Sequence, residues 1–304
     1  LEQKGILIIC IIVVLSQFLA YILSTILVKP LARVTKAIED LTDGYQQDEI
    51  CVPDYTETEL ITDAFNKMLA RMKVLDESRS EFVSNVSHEL KTPMTSMKVL
   101  ADSLVGQQGV PEDLYQEFMR DITAEIDREN RIITDLLTLV KMDKKNADLQ
   151  IQHMSINQLL EDILKRLRPI ADKRNIDLIL DSFRPVEADV DELKFTSAIS
   201  NLVENAIKYN VDDGWVRVSL DADHKFFYVT VADSGMGIPE DSLSRIFERF
   251  YRVDKSHSRE IGGTGLGLAI TRSTIGMHHG VIKVFSKEGE GTTFSVRVPL
   301  SYIP

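Results

Sequence analysis

Hydrophobic positions along this chain fall into three regimes. The first is continuous. From Gly5 to Val28 there is no charged residue. At about 1.5 Å per residue this run spans roughly 36 Å as a helix, enough to cross a bilayer core of about 30 Å. It is too long for a cleaved signal peptide, and no small-residue cleavage site closes it. Lys29, Arg33 and Lys36 follow it, against Lys4 alone before it. That bias predicts a membrane-spanning helix with everything after Val28 in the cytoplasm.

The second regime steps by three and four. Leu31, Val34, Ile38 and Leu41 make one short seam, and Gly44 breaks it. A connector with Ile50, Val52 and Pro53 leads to a second seam at Ile61, Phe65, Met68, Met72 and Leu75. Two such short seams cannot bury themselves in one chain, so the pattern predicts a dimeric four-helix bundle. The second seam runs on through Phe82, Val86, Leu90, Met97 and Leu104. Two successive steps of four, Phe82 to Val86 to Leu90, shift the coiled-coil register there. Gly106, Gly109 and Pro111 predict a turn. A further long helix is expected to bury Phe118, Ile122, Ile126, Ile133, Leu137 and Val140. This pair also reads as half of a four-helix bundle.

In the third regime, helical patterns alternate with strand patterns. "INQLLEDILKRLRPIADKR" and "DELKFTSAISNLVENAIKY" are helical; "GWVRVSLD", "KFFYVTVAD", "VIKVFS" and "GTTFSVRVPL" alternate as strands. An α/β sandwich with a mixed sheet is predicted. The charged stretch before it, near residues 143–150, reads as a flexible joint. The organisation expected is an outer remnant and transmembrane helix (1–28), a relay (29–80), a helical bundle (81–148) and the α/β domain (149–304).

Composition narrows the function. The 304 residues carry 47 acidic and 35 basic side chains, a formal charge of -12. Direct nucleic-acid binding, which needs a basic patch, is a poor match. The two cysteines, Cys10 and Cys51, sit in different contexts and give neither a disulfide framework nor a zinc site. The chain opens on Leu1 rather than Met, which reads as a piece of a longer protein or a processed one.

Chemistry concentrates in two places. The first is "SHELKTP", Ser87 to Pro93. It lacks the second His of H-E-x-x-H, since Thr92 stands there, so it is not a zinc-protease helix. His88 lies about 200° round the helix from both Val86 and Leu90, and so points away from the bundle core. Pro93 cannot donate to the Glu89 carbonyl, which predicts a bend beside His88. A neutral imidazole becomes a nucleophile when a neighbour takes its other proton, and Glu89 can do so. Thr92, one turn on, can orient a water. A merely solvated face is the rival reading of Glu89 and Thr92.

The second place is a set of four stretches. On "NLVENAIKY", Asn201, Asn205 and Lys208 share a helix face; an amide oxygen suits Mg²⁺ and a Lys suits phosphate. In "DSGMGI", Asp233 can accept from an exocyclic amine, while Gly235 and Gly237 admit a ligand close to the backbone. "FERFYRVDKSHS" adds Arg249, Arg252 and Lys255. "GGTGLGLAI" is a glycine loop opening a helix, with Gly263, Thr264, Gly265, Leu266 and Gly267 placed for phosphate. A polar, glycine-flanked segment between the boxes can close as a lid. No Lys follows the last glycine, so this is not a P-loop. The dinucleotide fingerprint and the Ser/Thr-kinase set are absent too.

These motifs resemble known families. Residues 29–80, with Pro30, "AFNKM" at Ala64 to Met68 and Glu57, resemble a HAMP domain; Glu59 stands where a glycine is frequent. Over residues 29–304 the chain resembles a membrane-bound sensor histidine kinase of a bacterial two-component system, of the phosphate-sensing and cell-wall-sensing receptor type. The resemblance implies a HAMP relay, a dimeric phosphoacceptor bundle and a Bergerat-type ATP domain. It implies ATP and Mg²⁺, autophosphorylation of His88 and transfer to an Asp of a cognate response regulator. Dephosphorylation of that regulator and a place in the bacterial cell membrane are implied as well. By the same resemblance Asn205 holds Mg²⁺, Asp233 reads adenine and Tyr209 packs near the base. "MHHG" at Met277 to Gly280 departs from the usual His-Gly-Gly, with a local effect expected. Gyrase-like and chaperone ATPases have a water-activating Glu where Asn201 stands, so ready hydrolysis is not expected. The competing readings are a non-catalytic dimeric receptor that only binds nucleotide, and a stand-alone gyrase-class ATPase.

Overall fold

The computed structural model describes residues 2–29, 32–36, 56–105, 111–142, 149–253 and 263–302. The predicted connector at Gly44 to Pro53, most of the first seam, the turn glycines Gly106 and Gly109, the joint at 143–148, and the lid segment with Lys255 and Gly262 lie outside these residues. The chain divides into two compact units, Leu1–Ser84 and Asn85–Pro304.

In the first unit, helix α1 (Glu2–Leu23) ends in a π turn over Ser24–Val28. Among the described residues one helix is long and apolar enough to cross a membrane: Gly5–Leu23, with mean hydropathy 2.9 and no part of it buried. Helix α2 (Thr56–Val105) starts in this unit and continues through 50 residues. Of its first seam, Ile61, Met68, Met72 and Leu75 are exposed in the single chain.

In the second unit, α2 continues past Pro93 without losing helical form. Helix α3 (Glu112–Met142) follows. The expected positions Phe82, Val86, Leu90, Met97 and Leu104 are all partly buried. On α3 the outcome differs from the sequence pattern. Phe118 and Ile122 are partly covered, but Ile126, Ile133, Leu137 and Val140 are exposed, while Ile132 and Leu139 are almost wholly buried. The buried stripe sits one residue earlier than expected. The exposed one, Met119, Ile126, Ile133 and Val140, repeats every seven residues, an uncovered apolar seam of coiled-coil type.

The α/β domain starts with β1 (Ile151–Ser155) and α4 (Ile156–Asp172), whose first turn is capped by Ser155. Then come β2 (Asp177–Ser182), β3 (Glu187–Asp191) and α5 (Glu192–Lys208). Strands β4 (Trp215–Ala222) and β5 (Phe226–Asp233) precede the short α6 (Glu240–Leu243). Helix α7 (Gly267–Met277), β6 (Val281–Lys287) and β7 (Gly291–Pro299) complete it. Strands β1 and β3 pair alone. The other five form a sheet in the order β2-β4-β5-β7-β6, with β2 parallel to β4 and the remaining pairs antiparallel. The sheet is mixed, as the pattern predicts.

Alternation decides which side chains enter the core. Val216, Val218 and Leu220 of β4, Phe227, Val229 and Val231 of β5, and Phe294, Val296 and Val298 of β7 are buried against the helices. At roughly 25 cal/mol per Å² such side chains contribute about 1.5–3 kcal/mol each. Asp233 continues the phase of Phe227, Val229 and Val231. A carboxylate therefore stands where the strand pattern points a side chain into the core.

Candidate functional site

Asp191 caps α5, its carboxylate accepting from Lys194 N at 3.0 Å, and so sets the phase of that helix. Leu202, Val203, Ala206 and Ile207 then face the core. Asn201, Asn205 and Lys208 fall on the flank that lines a cavity of about 1300 Å³. At the far end of α5, the Arg174 guanidinium donates to the carbonyls of Ile207, Lys208 and Asn210, each at 2.9 Å. This side chain satisfies the orphan carbonyls of the last turn and fixes the segment carrying Lys208 and Tyr209. No motif in the sequence announces it, because its partners are backbone groups more than thirty residues away.

Asp233 lies at the floor of the cavity. Its Oδ1 accepts from Gly235 N at 2.9 Å and Thr292 N at 3.2 Å. Burial pushes its carboxyl up to about 6, in spite of these two donors. Oδ2 has no partner among the described residues and can accept from a ligand amine. Gly237, at φ +70, is packed onto the Lys287 carbonyl, where a Cβ cannot fit. Tyr209 lines the same wall, and burial raises its hydroxyl above the ordinary range.

The glycine loop forms the opposite edge. Gly265 has φ +69, and a Cβ there would meet the Phe250 backbone at 2.9 Å. Gly267 opens α7, and a Cβ on it would lie 2.5 Å from Asn201 Oδ1. The Asn201 amide donates to Thr271 Oγ1 at 3.0 Å, so it is turned toward α7. Gly263 comes close to Lys208, whose ammonium would sit 3.0 Å from a Cβ there. Burial and the nearby cations Arg252 and Arg131 draw Lys208 down to about 8.

Asn205 offers an amide to the cavity, and that side chain makes no hydrogen bond among the described residues. An uncommitted amide oxygen in the same cavity as Lys208 and the glycine loop fits a Mg²⁺ ligand.

The structure thus brings Asn201, Asn205, Lys208, Tyr209, Asp233, Gly237, Arg252, Gly263, Thr264, Gly265 and Gly267 to one cavity. Gly235, Arg249 and Leu266 are not in its wall. Gly235 instead packs against the Tyr209 carbonyl, and Arg249 is exposed. Leu266 is fully buried against Leu139 and Ile270, with Leu136, Met142 and Phe250 around them. The loop leucine is therefore a packing residue between the loop and α3. Among the further residues that line the cavity without a mark in the sequence pattern are Arg128, Arg131 and Asp135 of α3.

In the opening motif, His88 is exposed on α2 and Glu89 is partly covered. No hydrogen bond joins their side chains. Thr92 Oγ1 donates to the His88 carbonyl at 3.0 Å. In "MHHG", His278 is buried, its Nε2 accepting from Asp191 N at 2.9 Å and its Nδ1 facing the Thr274 carbonyl at 2.8 Å. His279 sits at φ 56, the conformation that favours the usual glycine.

Comparison with known proteins follows the same division. Residues 78–145 match the His Kinase A (phospho-acceptor) domain. Residues 190–302 match the histidine kinase-, DNA gyrase B- and HSP90-like ATPase domain. The chain is 35% identical over 228 residues to the sensor histidine kinase WalK of Bacillus subtilis, covering 74% of this chain and 37% of that protein. It is 35% identical over 225 residues to the sensor-like histidine kinase SenX3 of Mycolicibacterium smegmatis, covering 74% and 58%. In fold it is similar to the histidine kinase ThkA solved in complex with the response regulator protein TrrA, with TM-score 0.61, 24% identity, and coverage of 82% of this chain and 68% of that one. With both domains present and in this order, the chain belongs to the bacterial sensor histidine kinases. It spans less than two thirds of the length of these curated relatives.

Proposed function

We propose that this chain is the membrane-anchored, signal-relaying and catalytic part of a sensor histidine kinase that phosphorylates itself on His88 with ATP. The observation that supports this best is the cavity itself. An acid at the end of a strand, an uncommitted amide, a partly buried Lys and a glycine loop meet in one space, while an exposed His stands on a separate helix. Asp233 reads the adenine amine, and Asn205 holds Mg²⁺, which supplies charge neutralisation on the phosphates. Lys208, Arg252 and the loop N–H groups position the phosphates.

A ring nitrogen of His88 attacks the γ-phosphorus. A P–N bond forms, the bond from that phosphorus to the β–γ bridging oxygen breaks, and ADP leaves. The other ring proton passes to Glu89. An Asp carboxylate of a response regulator then attacks the phosphorus and breaks the P–N bond. This class of partner is carried over from the ThkA complex. Such transfer needs positioning and charge neutralisation more than a strong base. Asn201 cannot deprotonate water, and its amide is held by Thr271, which supports slow hydrolysis.

On this reading residues 29–80 are a HAMP relay, the uncovered seams of α2 and α3 close a homodimer, and α1 crosses the bacterial membrane with the rest of the chain in the cytoplasm. The test is incubation with γ-labelled ATP. We expect an acid-labile, base-stable label that His88→Gln abolishes while ATP affinity persists. Release of free phosphate without label would indicate a gyrase-class ATPase; nucleotide binding with neither product would indicate a scaffold receptor.

A further inference from the structure

The cavity is not closed by the ATP domain alone. Arg128, Arg131 and Asp135 of α3 lie along one stripe, spaced by three and four, and all three line it. Leu139, four residues further, continues that stripe into the cluster with Leu266 and Ile270. The contact is pinned by a hydrogen bond from Thr264 Oγ1 to Asp135 Oδ2 at 2.9 Å. The bundle helix is thus held against the glycine loop by a polar and an apolar contact, and its two arginines lie one and two turns before them.

The wall carries the acids Asp135, Asp162, Glu192, Glu204 and Asp233, and its basic side chains, Arg166 among them, crowd one another around Lys208, where Arg252, Arg131 and Arg128 each disfavour the charged ammonium. Arg128, Arg131, Lys208 and Arg252 line one space. Arg131 makes no hydrogen bond and no ion pair among the described residues. Arg128 has only a loose pairing with Glu125, at 3.8 Å on its own helix. The acids on the same wall nearest to Arg131 are Asp135, which is engaged by Thr264, and Glu204. Grouped cations facing a partly enclosed space repel one another, and an anion there relieves that repulsion.

We propose that Arg128 and Arg131 form part of the phosphate subsite of the nucleotide cavity, so that the bundle helix and the ATP domain bind one polyphosphate between them. This rests on the reading of the cavity as an ATP site and goes beyond it. The boxes that mark nucleotide binding in the sequence all lie on the ATP domain, whereas these two residues lie in the phosphoacceptor bundle. A nucleotide with a polyphosphate then stabilises the docked arrangement of loop and α3. Adenosine, which has the base alone, does not. An arginine is suited to this role because its fork can take two phosphate oxygens at once.

The test compares ATP and adenosine affinities for the full chain in lipid nanodiscs, with Arg131→Gln and with Arg128→Gln/Arg131→Gln. A lost charge-assisted contact corresponds to at least about tenfold in affinity. The expected result is that Arg131→Gln weakens ATP by about tenfold or more and leaves adenosine within about twofold. The double variant should weaken ATP further, and Arg131→Lys should recover part of the loss. Adenosine binding is the internal control for folding. Unchanged ATP affinity in both Gln variants overturns the proposal, and so does an equal loss of ATP and adenosine affinity. If the unaltered chain binds adenosine and ATP equally or not at all, the ATP reading itself fails, a result that needs no arginine variant.

Discussion

Thr264 of the glycine loop donates a 2.9 Å hydrogen bond to Asp135 of the bundle helix, 129 residues earlier in the chain. The same hydroxyl oxygen accepts from Leu266 N at 3.3 Å, so the loop is internally braced by the residue that reaches across. Asp135→Ala removes the outer partner. A partly buried hydrogen bond of this kind contributes about 1 kcal/mol. We expect amide exchange at Gly265 and Leu266 to speed up several-fold, with the β5 amides unchanged. Equal protection in variant and parent would show that the Leu139–Leu266 packing alone holds the loop.

On the proposed reading, Asp233 makes base recognition pH-dependent. Its folded carboxyl is raised to about 6 by burial. The ionised form accepts from an exocyclic amine; the protonated form presents a donor to another donor. Adenosine affinity should therefore be constant above about pH 7 and fall as pH drops through about 6. The stability sign is the reverse. A carboxyl raised above its unfolded value disfavours the folded state as pH rises from the ordinary carboxylate range to about 6, then levels off. Asp233→Asn should flatten both curves. Titration calorimetry with adenosine, which has no phosphate to titrate in this range, provides the measurement.

Arg174 is a stability residue for the site. It bonds three carbonyls at the end of α5 and pairs with Asp212 at 3.2 Å. Truncation to Ala leaves carbonyls next to the buried Asn210 without a donor. We expect a loss of roughly 2 kcal/mol in denaturant unfolding. ATP affinity should fall as well, through Lys208 and Tyr209. A variant of normal stability would mean that water replaces the guanidinium.

We propose that Thr92 serves dephosphorylation of the regulator. Its hydroxyl proton is directed to the His88 carbonyl, so it meets a water as an acceptor. A water donating to Oγ1 keeps its own lone pair for a phospho-Asp docked on that exposed face. Thr92→Ala should slow regulator dephosphorylation by an order of magnitude or more, roughly the value of a positioning group. Labelling of His88 should persist. If both rates fall together, Thr92 serves the helix rather than the water.

How far the sequence could be read varied with the kind of signal. Strands β4 to β7 follow a clean two-residue alternation, and each lies where its pattern puts it. The phase of β5 even accounts for the burial of Asp233. Strands β1, β2 and β3 were not singled out: they are five or six residues long, and "DLILDS" has adjacent apolar residues rather than alternation. On α3 the run "RIITDLLTLV" offers two apolar phases, one through Ile133 and Val140 and the other through Ile132 and Leu139. The periodicity could not choose between them, because both are apolar at helical spacing and only the packing of this chain buries Ile132 and Leu139 while leaving Ile133 and Val140 exposed. Arg128, Arg131, Asp135 and Arg174 stayed silent because their roles depend on groups distant in the chain. Leu266 looked like part of a phosphate loop by position, and only the packing around it reveals its other task.

The two phases on α3 have a consequence for access. The apolar seam at Met119, Ile126, Ile133 and Val140 and the cavity-side pair Arg128 and Asp135 both advance by seven. Their angular separation, about 200° by residue count, therefore stays constant along the helix, however it supercoils. In a dimer closed along the seam, each cavity looks outward, on the flank away from the two-fold axis. Spent nucleotide can then exchange with bulk solution while the subunits stay sealed, and turnover need never compete with assembly.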